Sequence, residues 1–277
     1  MEKIRVMVAG LSSQVCEGKM ARLVAGAIAS REDMSLWTTG LSEGSGQTRV
    51  SRAPAAGYVD VELVPVDQQE AVLKSSSGID LIVDFTLPKS VNRNAEMYCE
   101  VGIPFIMGTT GGDRKALVET VEKSSISAVI ATNMAVPVIV FQAMIKFAAK
   151  NFAGSFEGFK LVIEESHQAT KADVSGTAVS LLGSFAALGM PLKKEQILIV
   201  RDPVVQEVKL GIPKQYLNGH AYHTYTMLSP DGTVCLQFTH NILGRNVYVD
   251  GVLKAIRFLA GSPSPKGKVF SMDDVLR

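Results

Sequence analysis

The chain reads as an α/β protein: a doubly wound parallel sheet, followed by a second α+β domain with a mixed or antiparallel sheet. Three observations predict this. Apolar strand-like runs alternate with amphipathic helical stretches through the first half, the pattern of a parallel sheet covered on both faces. A long helical stretch near the middle ends the alternation. Beyond it strand-like runs dominate, two of them joined by Ser229-Pro230-Asp231-Gly232, a strong hairpin turn.

The elements follow in order. Strands are expected at 4–9, 35–39, 81–85, 105–107 and 128–131, where short apolar runs end in glycine, threonine or asparagine. Between them, helical spacing of apolar residues predicts helices at 19–30, 68–75, 90–101 and 114–123. A helix at 137–152 leads into the second domain, with strands at 159–163, 196–200, 222–228 and 234–238. A helix at 246–259 packs back on the first domain, and the Gly-, Ser-, Pro- and Lys-rich stretch 261–268 forms a surface loop before a short final helix. The first domain therefore comprises residues 1–134 with helices in 246–277, and the second residues 135–245.

Composition excludes several classes. At 277 residues, 47% hydrophobic and 20% charged, the chain is long and apolar enough to bury a substantial core. A net charge of +1 offers no broad basic surface for nucleic acid. Cys16, Cys99 and Cys235 are too few and scattered for a disulfide framework, and no C-x-x-C points to zinc. No metal is expected, and a reducing compartment is. No apolar run reaches membrane-spanning length, and the first strand begins too early to leave room for a signal or transit peptide within these residues.

The densest chemistry lies in Glu164-Glu165-Ser166-His167-Gln168-Ala169-Thr170-Lys171-Ala172-Asp173-Val174-Ser175-Gly176-Thr177-Ala178, between the 159–163 run and an apolar helical run at 179–188. Loops on a rigid scaffold are where such folds carry functional groups. His167 supplies an imidazole, the side chain suited to proton exchange near neutral pH. Lys171 supplies positive charge. The free N–H groups of a helix start, with the Ser175 and Thr177 hydroxyls, suit a carboxylate or phosphate. Singly, each residue reads as an N-cap or a solvated loop group; together they read as an acid–base site for a small anion.

The first half carries a candidate dinucleotide cleft. After the first strand comes Gly10-Leu11-Ser12-Ser13-Gln14-Val15-Cys16-Glu17-Gly18-Lys19-Met20, longer than G-x-G-x-x-G but with Gly10 and Gly18 placed to bring backbone N–H groups to a pyrophosphate. The second strand ends without an acidic residue. Thr39 and Ser42 there tolerate a 2′-phosphate, with Lys19 as an aid, which favours NADPH and leaves NADH possible. Phe85-Thr86, Gly108-Thr109-Thr110 and Thr132-Asn133-Met134 close three further strands at the sheet edge where open α/β folds bind ligands. An amide at Asn133 suits a carboxamide such as that of nicotinamide.

Gly18-Lys19-Met20, Asp84-Phe85-Thr86, Gly102-Ile103-Pro104 with Gly108-Thr109-Thr110-Gly111, Glu165-Ser166-His167 through Lys171 to Ser175-Gly176-Thr177-Ala178, Gly219-His220, and Thr239-His240 with Arg245 occur in this order nearly end to end. In that order and spacing the chain resembles the 4-hydroxy-tetrahydrodipicolinate reductase (dihydrodipicolinate reductase) family of lysine biosynthesis, most closely its plant type. The resemblance implies a Rossmann domain binding NAD(P)H and a mixed-sheet domain binding a cyclic dicarboxylate. It also implies hydride delivery to ring carbon C4, with a proton placed on the neighbouring carbon. It puts His167 in the general-acid position and Lys171 in the second catalytic position. Ser175, Gly176 and Thr177 then grip a carboxylate, and the domains close about 133–137. Gln168, classed with the substrate residues, stands where bacterial members have a second histidine, and the bacterial proline before Ser-Gly-Thr is absent. The resemblance further implies a homo-oligomer, dimer or tetramer, built through the second domain's sheet, and an intracellular location: plastid stroma for a plant source, cytoplasm otherwise.

Of the other histidines, His220 and His223 face opposite sides of a strand and make a poor metal pair, while His240 is expected to end a strand in a structural role. Arg245 either reaches an anion or caps a carbonyl. The cysteines lack an adjacent histidine, which weighs against a thiohemiacetal-forming aldehyde dehydrogenase. The competing reading is a reductase-like binding or assembly protein without turnover; the intact His167, Lys171 and Ser175-Gly176-Thr177 set argues against it.

Overall fold

The computed structural model describes residues 2–14, 18–52, 57–261 and 265–277; Cys16, the centre of the long first turn and part of the 261–268 loop lie outside the described residues. The chain divides into two compact units, Met1–Ala135 with Tyr248–Arg277, and Val136–Val247.

The first unit begins with β1 (Ile4–Ala9), α1 (Lys19–Ala29), β2 (Met34–Leu36), β3 (Thr39–Leu41), β4 (Gly46–Ser51) and β5 (Tyr58–Val64). It continues with α2 (Gln69–Ser75), β6 (Leu81–Asp84), α3 (Val91–Val101), β7 (Phe105–Met107), α4 (Arg114–Glu122) and β8 (Ala128–Ile130). Its sheet runs β8-β7-β6-β1-β3-β5-β4, with β2 beside the start of β1 and β3 beside its end. These pairings are parallel except β4–β5. The strand expected at 35–39 is thus two pieces. The Trp37 N–H still bonds the Val6 carbonyl at 2.8 Å, but the Thr38 carbonyl accepts from Glu62 of β5, so the chain changes partner midway. The β4–β5 hairpin was not expected from the sequence; its half-polar alternation buries Thr48 and Val50 against α1. Gly26 of α1 permits this, since a Cβ there would stand 2.3 Å from the Ser51 carbonyl oxygen.

β6 and β7 are buried along their whole length, as a sheet covered on both faces requires. Met7, Ile82, Tyr98, Phe105 and Leu117 form the core on one face, each large side chain contributing about 1.5–3 kcal/mol by burial. Because the chain builds one flank of β1 first and the other afterwards, the order reverses at β1–β6. A crevice opens at their carboxyl ends, the place where open α/β sheets bind ligands.

The second unit comprises α5 (Val136–Asn151), β9 (Lys160–His167), α6 (Gly176–Val179), α7 (Leu182–Ala187), β10 (Leu198–Val200), α8 (Pro203–Val208), β11 (His220–Leu228) and β12 (Cys235–Leu243). Its sheet runs β10-β9-β11-β12, with β10 parallel to β9 and the rest antiparallel, so it is mixed. One face packs on α5 and α7 through Ile145, Ile163, Phe185, Tyr225 and Met227. β9 is longer than expected: β11 pairs along it as far as His167, which carries Glu164 to His167 into the strand rather than the turn. The helix expected at 179–188 is divided into α6 and α7. β12 likewise runs on to Leu243, so His240 lies within a strand and not at its end.

The chain then returns to the first unit through α9 (Val247–Gly261), β13 (Val269–Phe270) and α10 (Met272–Leu276), β13 adding in parallel to the edge of β8. Gly251 lets α9 approach the Met134 carbonyl oxygen, which a Cβ would meet at 2.0 Å. Among the described residues no helix is long and apolar enough to cross a membrane.

Candidate active site

In the first unit a cavity of about 590 Å³ opens at the carboxyl ends of β1 and β6, lined by residues 10–14 and 18, 42–44 and 85–87. Gly10 (φ 96°) and Gly18 (φ 57°) take left-handed backbone conformations. A Cβ on Gly10 would stand 2.3 Å from the Phe85 carbonyl oxygen, and one on Gly18 2.5 Å from that of Gly10. Both glycines are required by contact as well as by φ. Gly18 begins α1 with no side-chain cap, which leaves the first helical N–H groups for a ligand phosphate. Arg22 braces the turn from α1, donating to the Ser12 carbonyl at 2.7 Å and Thr48 Oγ1 at 2.9 Å. The cavity and its glycine-lined turn fit a dinucleotide.

Phe85 and Thr86 line the cavity. Gly108 lies so close to the Phe85 ring that a Cβ would meet Cε1 at 2.3 Å. Thr109 is buried and donates to the Thr86 carbonyl at 3.1 Å, while Thr110 is exposed. Behind these loops sits Asp84, wholly buried. Its Oδ1 accepts from the Thr86 N–H (2.8 Å), Thr86 Oγ1 (2.7 Å) and Thr109 Oγ1 (3.5 Å), and its Oδ2 from Asn94 (2.9 Å) and Tyr98 (2.8 Å). Burial first, then the Asp84 carboxylate, pushes the Tyr98 phenol well above its ordinary value, so it remains a donor. Asn133 Oδ1 accepts the Ala135 N–H at 2.9 Å and closes the turn after β8; Thr132 is exposed and Met134 buried.

Of the expected cofactor residues, Gly10, Gly18, Phe85 and Thr86 line the cavity, whereas Lys19, Met20, Thr39, the 108–110 loop and the 132–134 turn do not. Lys19 and Met20 open α1, and Thr39 begins β3 rather than ending it. The expected absence of an acid at the second strand's end needs correcting. That strand ends at Leu41, and Ser42, Glu43 and Gly44 line the cavity beyond it. The Glu43 carboxylate accepts from Ser90 Oγ at 3.0 Å and pairs with Lys89 at 3.3 Å.

In the second unit, strand pairing assembles the proton-transfer group. Leu161, Ile163, Glu165 and His167 share one face of β9, and Glu165 faces His223 in register on β11. The imidazole Nδ1 of His167 is in close contact with Glu165 Oε2. Arg201 reaches the same carboxylate, 2.7 Å to Oε1 and 3.2 Å to Oε2. Burial alone pushes Glu165 upward, but its bonds to His167 and Arg201 outweigh that and hold it at about 2. The His223 ring meets His167 edge-on at 5.1 Å and stacks on His240 at 4.6 Å. Burial pushes His223 down to about 3, helped by the charges of His240 and His167, and His240 down to about 4. Both are therefore neutral near pH 7, and behind His167 lies an uncharged wall.

Gln168 and half-buried Lys171 follow in a turn closed by the Lys171 N–H on the Gln168 carbonyl at 3.0 Å. Ser175 turns inward: its N–H donates to Glu165 Oε1 at 3.3 Å and its hydroxyl bonds His223 Nε2 at 2.8 Å. Gly176 is exposed and Thr177 half-exposed, and these remain outward. His220, on the opposite face of β11, bonds Ser166 Oγ at 2.9 Å and the Tyr216 carbonyl at 3.1 Å. Donor atoms of Glu165, His167 and His223 lie within 4.8 Å of one another. A metal ion there would have to displace Arg201, which already occupies both oxygens of Glu165 and supplies the positive charge.

The two halves of the chain match two family models, dihydrodipicolinate reductase N-terminus over residues 4–134 and dihydrodipicolinate reductase C-terminus over residues 137–276. The chain belongs to the dihydrodipicolinate reductase family. As a member it is an oxidoreductase of lysine biosynthesis through diaminopimelate, in a family that uses NAD(P)H. It is 39% identical over 279 residues to 4-hydroxy-tetrahydrodipicolinate reductase 1, chloroplastic, of Arabidopsis thaliana, covering 99% of this chain and 78% of the relative. The 4-hydroxy-tetrahydrodipicolinate reductase of Herminiimonas arsenicoxydans is 29% identical, covering 100% and 99%. The dipicolinate-bound dihydrodipicolinate reductase from Paenisporosarcina sp. TG-14 shares the fold, with a TM-score of 0.65 at 16% identity over 97% of each chain.

For this reductase, four functional candidates escaped sequence reading. Glu165 reads as part of the turn, and only the extension of β9 to His167 puts the two side chains on one strand face. Arg201 gave only a weak signal, a basic residue directly after a strand-like run. Glu43 was masked by the wrong strand boundary. Asp84 belongs to the Asp84-Phe85-Thr86 motif that carries the resemblance but was given no role, and its burial depends on donors from α3 and the 86 and 109 loops.

Proposed function

We propose that His167 is the proton donor, and Lys171 with the 175–177 turn the carboxylate holder, in the reduction of 4-hydroxy-tetrahydrodipicolinate to tetrahydrodipicolinate for which the family is named. The observation that carries this reading is the Glu165–His167 contact. With Nδ1 held against a buried carboxylate, Nε2 is the nitrogen that presents the proton, and the imidazolium formed or consumed has a fixed counter-charge. The nicotinamide, when bound, supplies the hydride for ring carbon C4. His167 delivers its proton to the neighbouring ring carbon. Lys171 offsets one substrate carboxylate. Gly176 and Thr177 offer a backbone N–H and a hydroxyl to it, with Gln168 at the turn, while Ser175 holds the turn from within.

Residues 10–14 and Gly18 with the start of α1 would hold the pyrophosphate, and Phe85, Thr86, Gly108, Thr109, Thr110 and the Thr132-Asn133-Met134 turn the nicotinamide half. The dipicolinate bound by the Paenisporosarcina enzyme supports a small dicarboxylate as substrate. Association of copies through the long open edge strand β12, where Leu236 and Leu243 are exposed with Val234 just before it, agrees with the homo-oligomer expected; light scattering tests it. The chloroplastic names of the plant relatives support plastid stroma for a plant source.

The test couples the chain to dihydrodipicolinate synthase with pyruvate and aspartate semialdehyde and follows NADPH and NADH oxidation. The wild type oxidises cofactor only with the synthase product. His167→Ala lowers kcat roughly 10²–10⁴-fold with a modest change in KM, and Lys171→Ala raises KM as well. Wild-type kcat in His167→Ala would remove it from the mechanism.

A further inference from the structure

We infer that Arg201 and Glu165 act together as positioning residues, one ion pair fixing both the proton donor and the carboxylate-holding loop. The inference rests on the roles given to His167 and Lys171 above. β10 runs parallel to β9 with Val200 opposite Ser166, so Arg201 leaves its strand level with His167. A guanidinium carries five N–H groups, and here all are used. Nε donates to the Lys171 carbonyl at 2.9 Å. One terminal nitrogen reaches Glu165 Oε2 at 3.2 Å and the Val200 carbonyl at 3.0 Å. The other reaches Glu165 Oε1 at 2.7 Å and the Asp173 carbonyl at 3.3 Å.

The same fork therefore holds the carboxylate that orients His167 and two carbonyls of the loop that bears Lys171. Glu165 completes the frame by accepting the Ser175 N–H at 3.3 Å. Between His167 and Ser175 the chain forms neither helix nor strand. From within it is held by the single Gln168–Lys171 turn, so its geometry depends on Arg201. The segment after Arg201 adds a second hold. Gln206 of α8, fully buried, donates to the His167 carbonyl at 2.7 Å and the Val200 carbonyl at 3.2 Å.

A buried ion pair is weak evidence for stability alone, since desolvation consumes much of the attraction. A pair that also organises four backbone groups has another use. Lysine keeps the charge of Arg201 but not the planar fork, and glutamine keeps the shape of Glu165 but not its charge. These two variants separate positioning from fold maintenance.

The experiment compares the full-length wild type, Arg201→Lys and Glu165→Gln by amide hydrogen exchange and steady-state kinetics. In Arg201→Lys the amides of 168–177 exchange faster while those of β11 do not, and KM for the dicarboxylate rises about 10-fold or more, with a smaller fall in kcat. In Glu165→Gln, kcat falls about 10²-fold and the descending limb of kcat against pH moves to lower pH. Among the described residues packed against His167, Arg201 is positive, His223 is neutral, and Glu165 carries the negative charge that is lost. Loop exchange and KM at wild-type values in Arg201→Lys would overturn the inference. So would kinetic losses in both variants that merely track a lower melting temperature. An active His167→Ala variant would instead sink the catalytic reading, and loop exchange in Arg201→Lys would still report on the pair.

Discussion

Asp84→Asn is the sharpest test of how the cofactor cleft is built. The carboxylate is wholly buried and its five hydrogen-bonding partners are all donors: the Thr86 N–H and hydroxyl, the Thr109 hydroxyl, the Asn94 amide and the Tyr98 phenol. Asparagine replaces one oxygen by a group that only donates. The Thr86 N–H cannot turn away, so the new amide keeps its oxygen there and sets its nitrogen against Asn94 and Tyr98. Asn94 can flip to offer its oxygen, but Tyr98 loses its acceptor inside the core, and the remaining bonds lose their charge. A hydrogen bond to a charged acceptor is worth about 1.5–3 kcal/mol, so one lost and several weakened cost about 2–4 kcal/mol. Urea unfolding reads this as a lower midpoint at unchanged slope.

The same substitution has a functional signature. Asp84 ties the 85–87 loop, which lines the cavity, to Thr109 of the loop proposed for the nicotinamide half. NADPH affinity, measured by calorimetry on folded protein, is expected to fall about 10-fold or more. A variant within about 1 kcal/mol of the wild type and with unchanged affinity would refute the account of Asp84 as the hub of these loops.

Gly108→Ala places a methyl group against the Phe85 ring at 2.3 Å, so the ring must swing into the cleft; fluorescence titration is expected to show weaker cofactor binding than in wild type with the fold retained. Glu43 puts a carboxylate in the lining of the proposed cofactor cavity, partly offset by Lys89 at 3.3 Å, and negative charge there would oppose a 2′-phosphate. Glu43→Gln is therefore expected to shift the ratio of kcat/KM toward NADPH by about 10-fold, and an unchanged ratio would remove Glu43 from cofactor choice. Acid should weaken the second unit in two stages. Buried His223 (about 3) and His240 (about 4) lie below their ordinary 6.5, so stability is full above pH 6.5 and declines as pH falls and the unfolded chain takes up protons. Glu165, at about 2 against 4.5, adds a further loss below about pH 4.5, of about 3 kcal/mol by full protonation; urea midpoints that stay level from pH 7 to pH 4 would contradict this.

Much of the fold was legible because its signals are local. Ile4–Ala9 and Phe105–Met107 were bounded correctly by apolar runs ending in a glycine turn, and α4 starts at Arg114 as its apolar spacing predicted, with Asp113 capping the Lys115 and Ala116 N–H groups at 3.0 Å. What escaped depends on partners distant in sequence. β4 and β5 carry arginine, aspartate and glutamate on their outer face, and only pairing with β3 makes them sheet. β9 outlasts its apolar run because β11 lies beside it, and that pairing turns Glu165 from a loop residue into a buried one. His167 and Lys171 stood out as candidates from local density. Arg201, thirty-four residues beyond His167 (201 − 167), became legible only through the β9–β10 register.

Each unit thus centres on one buried carboxylate near the end of a strand, and the difference in their partners separates their roles. Asp84 is surrounded by neutral donors, none of which titrates near pH 7, so its hydrogen-bond set is the same throughout turnover. That suits a scaffold for cofactor loops, which must keep one shape. Glu165 faces a guanidinium with a permanent charge on one side and, on the other, the imidazole proposed as the proton donor. If His167 gives up its proton as proposed, Arg201 leaves Glu165 with a second, permanent counter-charge and keeps its hold on the loop carbonyls. A neutral hydrogen-bonding partner in place of Arg201 would leave the ionisation of Glu165 dependent on His167, and loop geometry would then vary with each proton transferred. Electrostatic preorganisation requires the opposite, a counter-charge that stays in place while the proton moves.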